Sequence, residues 1–539
     1  MRAPIAFALF AAFGGCTNQG SFDLVLTLPT EATLRPNGMT TVTVVLTQGN
    51  DPPVATTSVL DGGTFAAGDL AAANDVQIEV LLRDASNRIV GVGEAGESID
   101  IIAGQKTEIE IPVRRPFVYA SDGAMLFSFD PTLDQSDSGF QGRLQGVSAP
   151  RVVVSVGGDR LAVVGTTQLQ VIATDTNKPM GSPITLPGMT NDAAAVPGSS
   201  KVAVAHDGGI AIVDLDSGTV KSTAVGKVDR ITVGPSSDGT MFAHGLIGRV
   251  EPLLRPFGMC TGTSMIVTVA VDNPEVVVPR VLPQPTSDLA AAPESPQLFA
   301  TLPCTGKVVR VQGGIEGEEI SFMDFAPLER ASILTVDASR VWAAGTKAAI
   351  ALCSNGNSGT GTCTPASTTR CPQRFTNGSI AATMQGAQAI VQSIPLAGGM
   401  PITIALPTRR ESIVDSDDPG GQHSQVLRAL GTTPLDFVVL PGGQYIGIVT
   451  KSQYYVEELT GSGGTPIYLP CLDAETSDWL LLDVATSSVA QRVRTTCSLV
   501  VGPSDDIFPD WECDDAPAGE GPQFGGYTPI SVGGLFGAR

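Results

Sequence analysis

The sequence predicts an all-β protein in which an N-terminal immunoglobulin-like β-sandwich is followed by a β-propeller of about seven blades. Two patterns lead there. Over residues 22–115, short runs alternate apolar and polar residues and are parted by Gly, Asn and Asp, the mark of half-buried antiparallel strands. Over residues 116–503, units of about forty residues repeat one order of strands and turns. Composition agrees: the 539 residues include 61 Gly and 39 Pro but only 16% charged residues, which argues against a helical bundle. With 42% hydrophobic residues the chain has ample apolar surface to bury, so a largely disordered protein is excluded.

Residues 1–16 read as an address. Arg2 gives a positive start, residues 5–13 (IAFALFAAF) are apolar, and Gly14, Gly15 and Cys16 follow. That is the layout of a secretory signal. As a helix, such a run rises only about 14 Å against a bilayer core of about 30 Å, too little to span it. The ending Phe13-Gly14-Gly15-Cys16 resembles the lipobox of bacterial lipoproteins, with Phe13 where that family usually has Leu. The resemblance implies lipidation at Cys16; an ordinary signal peptide is the alternative. Thr17 stands where lipoproteins retained in the inner membrane have Asp, which by the same resemblance favours the outer membrane. The expectation is an exported protein, lipid-anchored to the bacterial cell envelope and touching the membrane through that anchor only. Residues 17–21 (TNQGS) read as a tether.

Setting Cys16 aside leaves Cys260, Cys304, Cys353, Cys363, Cys371, Cys471, Cys497 and Cys513. An even number in an oxidising compartment predicts disulfides, within the insertions 353–371 and 471–513 and between Cys260 and Cys304. No CxxC pair marks a zinc site.

The sandwich is read from alternating runs at 23–28, 41–46, 76–82, 89–92 and 107–113. No Cys–Trp–Cys pattern of antibody domains is present, and Arg114-Arg115-Pro116 marks the boundary. Beyond it, Asp192, Asp229, Asp288 and Asp436 each open an apolar run that ends at a Pro, followed by two further strands and an Asp-x-x-Gly type turn. Units open near 151, 191, 228, 287, 332 and 435. A further unit is expected to be shared, with 498–503 supplying the inner strand for 117–130 and so closing the ring. Six or eight blades remain open, because 343–432 holds an insertion. These units resemble the blades of YVTN, NHL and WD40-like propeller families, although the Trp-Asp and Gly-His signatures of strict WD40 repeats are missing. The resemblance implies architecture and is nearly silent on activity. Residues 504–539 read as an acidic, Gly-rich tail.

The net charge of −22 repels phosphate backbones and argues against a nucleic-acid partner. Among three histidines, His206 and His244 are read as ending the second strands of neighbouring blades, on the face where Asp192, Asp229, Asp288 and Asp436 begin the inner strands. Carboxylates and imidazoles converging at a channel mouth form a candidate ligand site, able to hold a divalent cation. The plainer reading is that each Asp caps a turn by accepting backbone N–H groups. Asp415, Asp417 and Asp418 read as a solvated acidic loop, and Asp214 to Gly218 as a hairpin turn. Trp342, Trp479 and Trp511 are assigned to packing. No GxSxG, GxxxxGK[ST] or HExxH motif is present, so no catalytic residue is assigned and no cofactor is predicted beyond that cation. The function expected is therefore a non-catalytic binding or scaffolding module that engages a protein partner or small envelope ligand. A metal-assisted hydrolase or lyase and a component of an outer-membrane assembly complex are the alternatives.

Overall fold

The computed structural model describes, with short breaks inside several segments, residues 5–6, 19–48, 54–59, 70–121, 126–129, 141–250, 262–312, 315–320, 330–347, 388–406, 410–414, 424–458, 467–469, 475–500, 510–512 and 531–534. Apart from one short 3-10 turn, Ala32–Leu34, every regular element there is a strand. Among the described residues, no helix is long and apolar enough to cross a membrane.

The N-terminal strands form one continuous sheet, not two facing ones. Ile89–Glu94 pairs with both Ala73–Asp84 and Lys106–Arg114, joining what a sandwich would keep apart. Gln19–Thr27 then lies parallel to Lys106–Arg114, a pairing that short alternating runs do not reveal because its partners are so distant in sequence. The sheet curls around its own core, where Leu24, Val44, Ile78, Val80 and Ile111 meet. Period two sends Leu81, between Val80 and Leu82, to the opposite face.

Among the described residues, six regular four-stranded blades follow, one fewer than the seven expected. The second opens with Val152–Val156, the third with Thr190–Ala195, the fourth with Arg230–Pro235, the fifth with Leu289–Ala291 and the sixth with Arg330–Val336. The remaining arc is filled by a larger, six-stranded sheet containing Ser424–Val439 and Tyr445–Glu458. The first blade joins the two ends of the propeller: Val118–Ser121 pairs with Ser531–Gly534, which supplies the inner strand. Closure is therefore made from within the predicted tail and not by 498–503. Ser498–Val500 pairs instead with Asp510–Glu512. Inner strands lie side by side around the circle, from 531–534 through the second to sixth blades to 424–439 and back.

Each blade buries alternate residues against each neighbour. Val202 and Val204 face the second blade, where they meet Val164 and Leu169, while Ala203 and Ala205 face the fourth with Val233 and Ala243. Outer strands are largely solvent-exposed and carry Pro179, Pro183 and Pro279, residues that cannot extend a hydrogen-bond ladder. The turn at Asp214 is as expected: its carboxylate accepts the N–H groups of Asp216 and Ser217, and Gly218 takes φ +68°. Cys304 follows Leu298–Leu302, and the other cysteines lie outside the described residues, as do Asp415, Asp417, Asp418 and His423.

Candidate site at the inner strands

Asp192 and Asp288 are both nearly buried and both reach across a blade boundary. The Asp192 Oδ2 accepts the N–H of Ile231 in the fourth blade at 3.0 Å, and the Asp288 Oδ2 accepts that of Leu334 in the sixth at 2.9 Å. Between them stands Arg230, which the sequence reading did not single out. Its guanidinium is 3.6 Å from Asp192 Oδ1 on one side and 3.6 Å from Asp288 Oδ1 on the other, with all three side chains no more than 12% exposed. One cation thus serves two carboxylates across three consecutive blades.

The electrostatics follow from this layout. Burial pushes the Asp288 carboxyl upward; Arg230, Arg249 and the Leu334 N–H pull it down, and the Asp192 charge adds to the rise. Arg249 strengthens the same boundary by donating from Nε to the Ser287 carbonyl at 2.8 Å.

The other predicted site residues sit elsewhere. Asp229 is spent within its own blade, its Oδ2 accepting the N–H groups of Gly248 and Arg249 at 3.1 and 3.0 Å. Lys227 Nζ lies 3.4 Å from its other oxygen. Asp436 is buried in Ser424–Val439, beside a break in strand register after Pro434.

The histidines do not converge. His206 does end its strand, and its face is the one Val202 and Val204 turn to the second blade. Its Nδ1 accepts the Gly208 N–H at 3.1 Å, so the neutral ring carries its proton on Nε2 and donates to Ser222 Oγ, also at 3.1 Å. Burial lowers its pKa, opposed by the exposed Asp207 carboxylate. His244, by contrast, lies in mid-strand, paired with Thr232 and Thr268. Directly paired residues share a face, and Thr232 Oγ1 accepts the Ala291 N–H of the fifth blade. His244 therefore points into the boundary between the fourth and fifth blades, with its Nδ1 3.0 Å from Thr268 Oγ1. The two imidazoles occupy different gaps because their positions within their strands differ by more than the repeat suggests. Among the described residues, no group of three or more His, Cys, Asp or Glu is arranged to hold a metal ion.

Burial, and then the Arg280 charge, hold the His244 pKa down to about 4. A histidine depressed on folding contributes stability that is lost as pH falls from the ordinary value of about 6.5 through its folded pKa. Replacing His244 with Gln keeps a hydrogen-bonding group but removes the titration. The variant's melting temperature is expected to fall less than that of the parent between pH 6.5 and 4; equal declines in both would show that His244 does not drive the acid limb.

Arg151 donates to the Thr190 carbonyl of the third blade at 3.0 Å, and Asn191 to the Val228 carbonyl of the fourth at 2.9 Å. Side chains at the start of one blade thus repeatedly hold main-chain groups of the next. The arrangement locks the ring at its inner strands.

No family model and no curated protein matches the chain. Solved structures do align. Kuenenia stuttgartiensis hydrazine synthase is 14% identical over 66% of this chain and 99% of its own, with a TM-score of 0.35. Apo AztD from Citrobacter koseri is 11% identical over 79% and 98%, also at 0.35. The β-propeller domain of Myceliophteria thermophila Cps50 (Swd1) is 11% identical over 63% and 95%, at 0.32. Likeness at this level carries nothing about activity, and the propeller architecture rests on the strand pairing described above.

Proposed function

We propose that the chain is an envelope-anchored lipoprotein whose propeller is a non-catalytic binding or scaffolding platform. The observation that carries this reading is the use of inner-strand carboxylates as ties between blades. Asp192 and Asp288, the groups best placed for channel chemistry, accept backbone N–H groups and a shared guanidinium. A ring fixed in this way presents variable loops on a rigid frame, which suits recognition. The N-terminal unit serves as a spacer or docking unit beside the anchor, and the cysteines of the insertions pair as disulfides. The partner is a protein or small ligand of the envelope, and the outer membrane is the proposed location.

Radiolabelled palmitate is expected to appear on the wild-type chain in the native host, with the protein in the outer-membrane fraction and in stoichiometric complex after mild detergent extraction. Cys16→Ser is expected to lose the label and release the chain into the soluble fraction. An unlabelled, soluble wild-type protein would refute the anchor. Hydrolysis of ester or lactone substrates by the purified chain supplied with Zn²⁺ or Ca²⁺ would refute the non-catalytic role.

A further inference from the structure

The N-terminal sheet lies against the part of the ring where its two ends meet. Closure there rests on a short ladder: Val118, Tyr119, Ala120 and Ser121 pair with Gly534, Gly533, Val532 and Ser531. Half of the closing strand is glycine, which contributes no side chain to pack and loses more freedom on ordering than other residues. Such a seam needs support from outside its own hydrogen bonds.

That support is present on several sides. Leu81, Ile89 and Val92 of the N-terminal sheet share one buried cluster with Phe117 and Tyr119 of the first blade and Leu161 of the second. The Arg115 N–H donates to the Leu34 carbonyl at 2.9 Å, fixing the crossing point of the chain. Arg114 and Arg115 place their guanidinium carbons 5.7 and 5.6 Å from the Phe117 ring centroid, a double cation–π contact. Arg114 also donates to the Tyr119 hydroxyl at 3.3 Å, and that hydroxyl donates to the Asn177 side chain of the second blade. Tyr119 belongs to the very strand on which the closing strand must pair. On the far flank, burial and then the Asp483 charge raise the pKa of Tyr445 in the six-stranded sheet, with smaller contributions of opposing sign from Arg88, Asp84 and Arg83 of the N-terminal hairpin.

We propose that the N-terminal sheet is a clasp for the propeller seam, gripping the first and second blades so that the C-terminal strand stays seated. The sheet holds the template strand Val118–Ser121 rigid, and pairing of Ser531–Gly534 then orders fewer groups. This role is independent of whether the platform binds a ligand and of whether Cys16 is lipidated.

Hydrogen exchange on the full-length chain tests it, because exchange reports local opening segment by segment. Leu81→Ser removes apolar contact with the ring, and Ile89→Ala does so more gently. In Leu81→Ser, amides of 118–121 and 531–534 are expected to exchange at least tenfold faster than in the wild type, with 202–206 and 210–213 of the third blade changing less than twofold. Ile89→Ala is expected to give the same pattern at lower amplitude. Should Leu81→Ser also loosen the N-terminal ladder at 42–46, the seam must still follow it while the third blade does not. Unchanged exchange at the seam in both variants, or an equal rise across the third blade, overturns the clasp.

Discussion

Replacing Arg230 with Met is expected to destabilise the protein by about 3–5 kcal/mol, the usual cost of removing one partner from a buried ionic group and leaving the other uncompensated. The expectation is at the upper end of single-residue effects because two carboxylates, not one, lose their cation. Its pH dependence follows from Asp288. A carboxyl whose pKa is raised on folding contributes stability that is fully present below the ordinary carboxylate value of about 3.9 and is lost as pH rises through the folded value. Arg230 holds that rise in check, so its removal enlarges the loss at neutral pH. The deficit of Arg230→Met relative to the parent should therefore narrow on going from pH 7 to pH 5, read from urea midpoints. A deficit below about 1 kcal/mol, typical of exposed pairs, or one that widens in acid, would show that Arg230 does not neutralise this layer.

Trp342→Ala is the second substitution of comparable size, with an expected loss of about 3–5 kcal/mol. The indole is 1% exposed and packs in the boundary between the sixth blade and the six-stranded sheet, among Ile333, Val391, Phe437 and Ile448. Arg340 lies over it at 5.8 Å and donates from Nε to Ser393 Oγ at 2.9 Å, which holds the guanidinium in place. Truncation leaves a cavity that neighbouring strands, fixed by their ladders, cannot collapse to fill. Trp342→Phe, which keeps most of the volume, should lose much less. Urea midpoints, with limited proteolysis to locate the first cut, check both; similar stabilities for the Ala and Phe variants would mean that the boundary repacks freely.

Much of the fold is legible because alternation is a local signal. Residues such as Val202, Ala203 and Val204 declare strands wherever they sit, and the recurring Asp and Pro mark where each unit begins. Closure was not legible in the same way. Ser531–Gly534 carries little alternation, whereas 498–503 has a stronger strand pattern; which of the two seats beside Val118–Ser121 is decided by tertiary contact. The N-terminal parallel pair escaped for a related reason, since Gln19–Thr27 and Lys106–Arg114 are far apart in sequence and no turn between them marks the pairing.

For the candidate site, the plain reading of the aspartates as acceptors of backbone N–H groups describes Asp192, Asp229 and Asp288, but two of the three also reach the following blade, Asp288 while accepting the Leu289 N–H of its own blade. Arg230 had a detectable signature. Asp192, Asp288 and Asp436 each stand five residues before the Pro that ends their run, at 197, 293 and 441, and in the fourth blade that place, five before Pro235, is held by Arg230. Aligning the units on Pro instead of on Asp would have put a cation between two anions. The histidine pairing misled because KVAVAH and TMFAH look alike, although His244 is followed by three more strand residues.

The inter-blade ties share a direction. Arg151, Asn191, Asp192, Arg249 and Asp288 all use a side chain to hold the main chain of the succeeding blade. A peptide group is present whatever residue occupies the receiving position, so the recipient's sequence is free to drift while the donor's is not. Each unit thereby constrains its own composition on behalf of its successor. A unit removed or inserted would carry its own hooks and would still offer main-chain groups to the unit before it, so ties of this kind leave the ring free to change its size by gain or loss of individual repeats.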